Sequence, residues 1–481
     1  LTAIHPVEPQ HADPPADQPL SRAWSWPLLI GFRYLFSYFT LYNLAAMMEI
    51  VNGFVASVVR LVFQGSVLPG AAAKGGLEAT IHGLLDAPSA AYERLMHWLV
   101  PLVGKRALHL PKDITVFPNG SGDTTYNHVE VLVFAVIAAV ITFLWSLAAV
   151  RRREHRRLHD LLRVELRYVL ALSLITYGLA KVFVLQFPPA NLDQLVMPFG
   201  EASPMGVLWR FIGASQPYQV FGGAMECLAG LLLLWRRTTL LGACVTLGVM
   251  GNVVMLNYSY DVPVKLYSTH LLAMAVTLIL PDLGRLTSLF ALNRPVAPAI
   301  LRPFAKPPGW GFFHQSAKLV FLCFIFATMV AGRLAATKTH GLAMPKPPLY
   351  GLYEVETLNV DGTDLPPLLT DGKRWRRVTV GKWGTITFHK MDGSRRQYPL
   401  TVDLPKRTMA LSAPRIGQIA EHKPGPPVAT FTFDPVSPDS MILKGKFNGA
   451  ELLVKLKRVD ESSFLLNSRG FHWINESPFN R

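Results

Sequence analysis

Among the ionisable residues inside long apolar runs of this sequence, Lys181, Glu226 and His270 stand out. A charge in such surroundings is expensive, so each of them demands a partner, a proton or a function. Glu226 makes the strongest demand, because a desolvated carboxylate must find a cation or hydrogen-bond donors, or else take up a proton. Tyr177 precedes Lys181 by one helical turn and shares its helix face. Asn252, Tyr260 and the charged couple Asp261 and Lys265 lie close to His270 along the chain. A Lys, Glu and His set with hydroxyl and amide support suits hydrogen bonding to a ligand's polar head and proton movement to and from it. Plainer readings stand beside this one. Lys181 and Lys265 can snorkel to a membrane interface, Asp261 and Lys265 can pair at a helix start, and His270 can be a satisfied interior histidine.

Other chemistries find less support. His155 and His159 have HxxxH spacing but sit in RRREHRRLHDLLR (151–163), where a solvated face is the expected reading, so no metal site is expected. The three cysteines, Cys227, Cys244 and Cys323, form no CxxC and lie inside apolar runs, which argues against dithiol chemistry by the chain itself. GASQPYQVFGG (213–223) contains glycines but precedes an apolar run rather than following a strand, so it is no dinucleotide fingerprint. No Walker loop, GxSxG elbow or nucleic-acid motif occurs.

The elements that must position these residues are membrane helices. Half of the 481 residues are hydrophobic and only 16% are charged, against about 25% charged in ordinary soluble chains. The apolar excess falls in seven runs of spanning length: Trp26 to about Met48, Val131 to Val150, Tyr168 to Phe187, Tyr218 to Trp235, Thr239 to Leu256, Leu266 to Leu280 and Leu319 to Leu334. Arginines crowd the 151–163 loop, Arg236 and Arg237 follow the fourth run, and Arg285, Arg294, Arg302 and Lys306 follow the sixth. These loops share one side of a seven-span protein, which the positive-inside rule makes the cytoplasm. The N-terminus is then cytoplasmic and the C-terminal part periplasmic, in a multi-pass protein of the bacterial inner membrane. On that topology Lys181, Glu226, Asn252, Lys265 and His270 all belong to the outer half of the bundle.

The expected organisation is a disordered cytoplasmic tail (1–27), a first transmembrane helix (28–50), an outer segment of loop and amphipathic helix (51–130), the main bundle (131–336) and a β domain (337–481). The tail has no apolar signal-peptide region. The outer segment ends in FPNGSGDTTYNHVEV (117–131), where Asp123 or Thr124 can cap the next helix. Beyond the last span the period changes to two. Strands are predicted at 375–380, 385–390, 396–402, 408–413, 429–434, 440–447, 451–458 and 463–468, with hairpin signals at MDGS (391–394) and Asn448-Gly449. About eight consecutive strands predict an up-and-down barrel, closed around its own side chains or around a small apolar ligand. From Lys338 onward 21 Lys and Arg face 14 Asp and Glu, about half of the chain's net charge of +15. That basic outer domain suits anionic lipid or an acidic partner.

Three stretches of the bundle, YGLAKVFVLQFP (177–188), FGGAMECLAGLLLLWRRTTLLGA (221–243) and GNVVMLNYSYDVPVKLYS (251–268), resemble the DoxX-like family of four-helix membrane proteins. NGSGDTTYNH (119–128) and RGFHWINESPFNR (469–481) resemble a longer subgroup of large bacterial DoxX-like proteins. The resemblance implies a four-helix core over 165–290, and a place beside a thiosulfate:quinone oxidoreductase subunit and redox-protective membrane complexes. The outer segment and the β domain depart from the family pattern, and no catalytic residue carries over. In architecture the chain is also similar to vitamin K-dependent carboxylases, where a helical membrane domain meets a β-rich part and a lysine acts on a quinol.

The expectation is therefore a mainly α membrane bundle with a C-terminal all-β domain, acting as a redox-associated subunit. It would bind a quinone or similar isoprenoid lipid through Tyr177, Lys181, Glu226, Asn252, Tyr260, Asp261, Lys265 and His270, with no covalently bound cofactor. A non-catalytic assembly subunit docking protein partners through its β domain is the second reading, and a carboxylase-like or lipid-modifying enzyme the third.

Overall fold

The computed structural model describes residues 24–65, 71–116, 119–152, 154–299, 311–413 and 427–480; the expected N-terminal tail lies largely outside them. The chain divides into two compact units, one comprising Leu1–Val116, Asp123–Val169 and Arg294–Gly311, the other Phe117–Gly122, Leu170–Asn293 and Phe312–Arg481.

The helices are α1 (Trp26–Gly65), α2 (Ala71–Arg106), α3 (Thr125–Ala148), α4 (Arg156–Val182), the short α5 (Leu192–Leu195), α6 (Pro204–Gly213), α7 (Gln216–Leu233), α8 (Thr239–Ser259), α9 (Lys265–Ile279), the short α10 (Leu283–Leu286) and α11 (Gly311–Thr339). Among the described residues five helical stretches are long and apolar enough to cross a membrane: Trp26–Val59, Thr125–Ala148, Thr239–Ser259, Lys265–Ala291 and Gln315–Thr339. The third and fourth predicted runs are helical too, as α4 and α7. Each carries a polar opening, RRLHDLLR in α4 and QPYQ in α7, that dilutes its apolar stretch.

In the first unit, α3 starts at Thr124, whose hydroxyl accepts from the Asn127 N–H while the Asn127 side chain accepts in return from the Thr124 N–H. This reciprocal cap satisfies amides that the helix leaves unpaired. Met96 and Val100 of α2 pack with Val129, Val133 and Phe134 of α3, and Tyr38 and Tyr42 of α1 lie against them. Other faces of the same helices keep large apolar side chains exposed, Phe143 at 63% and Leu147 at 60%. Such an inside-out distribution is what a lipid-facing helix needs. The outer segment is more regular than its sequence suggests: α1 runs through to Gly65, and both amphipathic stretches merge into α2 across Pro88.

In the second unit, Gly178, Gly223 and Gly230 bring α4 and α7 to backbone contact. A Cβ on Gly223 would stand 2.5 Å from the Gly178 carbonyl oxygen, and one on Gly230 would stand 2.8 Å from that of Ala171. Small residues of this kind are how helices associate without a hydrophobic drive.

The C-terminal part is a closed antiparallel barrel. Its strands are β1 (Gly351–Val360), β2 (Thr363–Asp364), β3 (Trp375–Gly381), β4 (Thr385–Lys390), β5 (Arg395–Asp403), β6 (Thr408–Ser412), β7 (Pro427–Ser437), β8 (Ser440–Phe447) and β9 (Ala450–Val459). β1 pairs with β3, each later strand pairs with the next, and β9 returns to β1 with Val355 opposite Leu456. β2 only folds back on the end of β1, so eight strands make the wall. Asn448 and Gly449 both hold positive φ, 51° and 86°, as a two-residue hairpin with matching twist requires. One predicted strand is corrected: 463–468 forms a 3-10 turn (Glu461–Ser463) and the short helix α12 (Leu465–Ser468). β1 takes the eighth place, and its bulge between Val355 and Thr357 breaks the alternation that would have betrayed it. Trp375 stacks on Phe388 at 4.0 Å, with Phe431, Phe447 and Tyr398 around them. The barrel is filled by its own side chains.

Candidate functional site

The glycine contact between α4 and α7 decides where the polar residues meet. With the backbones this close, Lys181 on α4 lies across from Glu226 on α7. Its Nζ donates to both carboxylate oxygens, at 2.8 and 2.7 Å. Glu226 is only 3% exposed, so water screens the pair little and both charges depend on each other. Ser173, Tyr177 and Lys181 recur every four residues along α4. Tyr267 of α9 donates to the Ser173 hydroxyl at 2.9 Å, and its ring lies 5.9 Å from that of Tyr177. Tyr177 is exposed. A polar strip thus runs along α4, partly buried at Lys181 and open at Tyr177.

The other proposed residues are placed apart from this pair. His270 is buried, and its Nδ1 lies 2.6 Å from the Leu266 carbonyl one turn back on α9, which puts the ring proton on that nitrogen. Asp261, exposed and at φ 52°, pairs with Lys265 at 2.7 Å across the α8–α9 turn. Tyr260 packs into an apolar cluster with Phe187, Ile212 and Val262. Asn252 is exposed on α8. The buried amide of that helix is instead Asn257, which donates to the Ser268 hydroxyl at 3.0 Å.

Three polar clusters escape a sequence reading. Arg33 of α1 is fully buried. It donates to the Ser146 hydroxyl at 2.9 Å, to the Ala149 and Arg152 carbonyls and, at 3.2 Å, to His155 Nε2. His155, expected on a solvated face, is therefore corrected to a buried residue, 4% exposed. Burial, with Arg33 and Arg152 beside it, holds its pKa below the usual histidine range, so it stays a neutral acceptor for Arg33. Glu165 of α4 is also buried, accepting from Thr40 at 3.1 Å and Asn43 at 3.0 Å of α1. Arg33 and Asn43 were visible as polar interruptions of an apolar run, which is the signal that could have pointed here.

The third cluster joins α5 to the barrel. Asn191 caps α5 through Gln194, which fixes the direction of Asp193. Its carboxylate accepts from the Thr379 hydroxyl on β3, the Thr387 hydroxyl on β4 at 3.0 Å and His389 Nε2 on β4 at 2.8 Å. Burial pushes the Asp193 pKa up, but the bonds from His389, Thr379 and Thr387 outweigh it and hold the carboxyl below its usual range. Among the described residues no group of three His, Cys, Asp or Glu side chains is placed to hold a metal.

No family model and no solved structure matches the chain. Over 126 residues it is 36% identical to the uncharacterized protein YwoB of Bacillus subtilis (strain 168), a stretch that covers 26% of this chain and 79% of that protein. The chain belongs to the YwoB family. The shared stretch leaves about three quarters of this chain beyond YwoB, so features outside it have to be read from their own geometry.

Proposed function

We propose that this YwoB relative is a DoxX-like, redox-associated membrane protein that binds the polar head of a quinone or similar isoprenoid lipid at Lys181 and Glu226. The observation that supports the reading is the doubly hydrogen-bonded pair itself, desolvated on a glycine-built helix crossing with the Tyr177 hydroxyl one turn away. An ammonium held against a carboxylate can turn one N–H toward a quinone carbonyl. Glu226 is then positioned to exchange a proton with the reduced head group, while the electrons come from a partner. In this reading the chain spans the bacterial inner membrane seven times, with α4 and α7 as spans and the barrel in the periplasm.

Titration of a short-chain quinone into the purified protein in nanodiscs tests it, read by intrinsic tryptophan fluorescence. Saturable quenching is expected, weakened at least about tenfold (about 1.4 kcal/mol) by Lys181→Met with Glu226→Gln. A double variant that binds like the wild type removes the reading.

A second reading, docking of protein partners by the barrel, draws on two features: the filled interior and a basic outer face on β8 and β9, where Lys444, Lys446, Lys455 and Lys457 are exposed. It predicts co-purification of the same partners with wild-type and Lys181/Glu226-substituted protein.

A further inference from the structure

A groove of about 510 Å³ lies between the N-terminal part of α1 and the C-terminal part of α3. Ile30, Gly31 and Tyr34 form one wall and Ala139, Thr142 and Phe143 the other, with Ser146 at one end. Both helices are of spanning length and composition, so this groove opens toward the hydrocarbon of the bilayer. Its wall on α1 is left low by Gly31, where an added Cβ would meet nothing within 4 Å.

The end of the groove at Ser146 is built with unusual care. The buried Arg33 guanidinium binds the Ser146 hydroxyl together with the carbonyls of Ala149 and Arg152. It thereby caps the C-terminus of α3 and fixes the turn that follows. That turn carries Arg151 and Arg152, and the start of α4 carries Arg156 and Arg157, all exposed. Of these, Arg156 pairs with Glu154 at 3.0 Å. Trp24 lies at the same level, its ring 5.1 Å from Phe32 and 6.2 Å from His159. Tryptophan at a helix end marks the headgroup layer. The apolar groove therefore ends, at the level of Trp24, near a rim of exposed arginines on this turn and the start of α4.

We propose that this groove is a binding site for one anionic glycerophospholipid, with an acyl chain along Gly31 and Ala139 and the phosphate against Arg151, Arg152 and Arg157. The rim selects charge, since basic residues at the membrane surface attract anionic headgroups. Arg33 does not touch the lipid; it is a positioning residue that holds the rim to the end of α3.

The test uses the full chain, purified in mild detergent and equilibrated with phosphatidylglycerol or phosphatidylcholine, with retained lipid counted by native mass spectrometry. One phosphatidylglycerol should remain bound, favoured at least about tenfold over phosphatidylcholine, a preference of about 1.4 kcal/mol. Gly31→Phe should abolish retention of both lipids by filling the groove. Should that variant fail to fold, Ala139→Phe closes the groove from an exposed position on α3. Arg151→Gln, Arg152→Gln and Arg157→Gln together should leave retention but erase the preference. Equal retention of the two lipids by the wild type, or retention untouched by a folded groove-filling variant, would overturn the proposal. A wild-type dimer that Gly31→Phe converts to monomer would overturn it too, because the occupant would then be a second copy of the chain.

Discussion

At the scale of single residues the balance rests on Glu226. The residue is 3% exposed, and both of its carboxylate oxygens accept from one ammonium. Removing the carboxylate leaves the largely desolvated Lys181 without its counter-charge. Glu226→Ala should therefore destabilise the bundle by about 3–5 kcal/mol, read as thermal unfolding in detergent. Replacing the pair by Lys181→Met and Glu226→Gln should recover much of that loss, because neither charge then remains. An Ala variant as stable as the wild type would show that the pair contributes nothing to the fold. This couple was legible in the sequence because an ionisable residue in an apolar run announces its need for a partner. The Arg33, Ser146 and His155 cluster was not. Ser146 and His155 lie 113 and 122 positions from Arg33, and a histidine among arginines has the composition of a solvated loop.

Helices and strands set the next scale. Gly222 and Gly223 are adjacent and identical in type, yet a Cβ on Gly222 meets nothing within 4 Å while one on Gly223 strikes the Gly178 carbonyl at 2.5 Å and the Lys181 Cβ at 2.7 Å. Gly223→Ala should force α7 from α4 and cost about 1–3 kcal/mol, as overpacking does. Gly222→Ala should be neutral or stabilising by up to about 1 kcal/mol, since alanine favours the helix. Paired melting curves decide the matter, and equal effects of the two substitutions would mean that the close crossing is not the source of the stability. The sequence shows that glycines recur here but not which of them faces the partner helix. That is set by a rotation of the helix that the nearly continuous apolar pattern of α7 does not record. The barrel presents the reverse case. Period-two alternation made β3 to β9 legible, although β3 has a register shift of its own at Trp375, and Asn448-Gly449 fixed one hairpin. β1 was obscured where its bulge shifts the register, and the SFLLNS stretch took its place on an alternation too short to tell a strand from a turn.

The whole molecule raises the question of how far the barrel depends on the helical part. Each barrel strand pairs with its sequence neighbour except for the closure of β9 on β1, and the aromatic interior is self-contained. Residues 349–481 should therefore fold alone, with a β-type circular dichroism spectrum and a cooperative melt. In the full chain Asp193 adds a tie, three hydrogen bonds from Thr379, Thr387 and His389 to one carboxylate. Because its folded pKa lies below the unfolded value of about 3.9, the stability it contributes is complete at neutral pH. That contribution is lost as pH falls below the unfolded value and through the lower folded one. Asp193→Asn should consequently destabilise the full chain at pH 7 by about 1.5–3 kcal/mol, the range for bonds to a charged group. The difference from wild type should shrink steadily once the pH drops under about 4. Melting the full-length pair across pH 7 to pH 3 provides the measurement, with the isolated barrel, which lacks Asp193, as the reference for acid effects of its own. A gap between wild type and Asp193→Asn that stays constant down to pH 3 would mean the carboxylate's charge carries none of the tie, and an isolated fragment without β structure would mean that the barrel needs the helices to form at all.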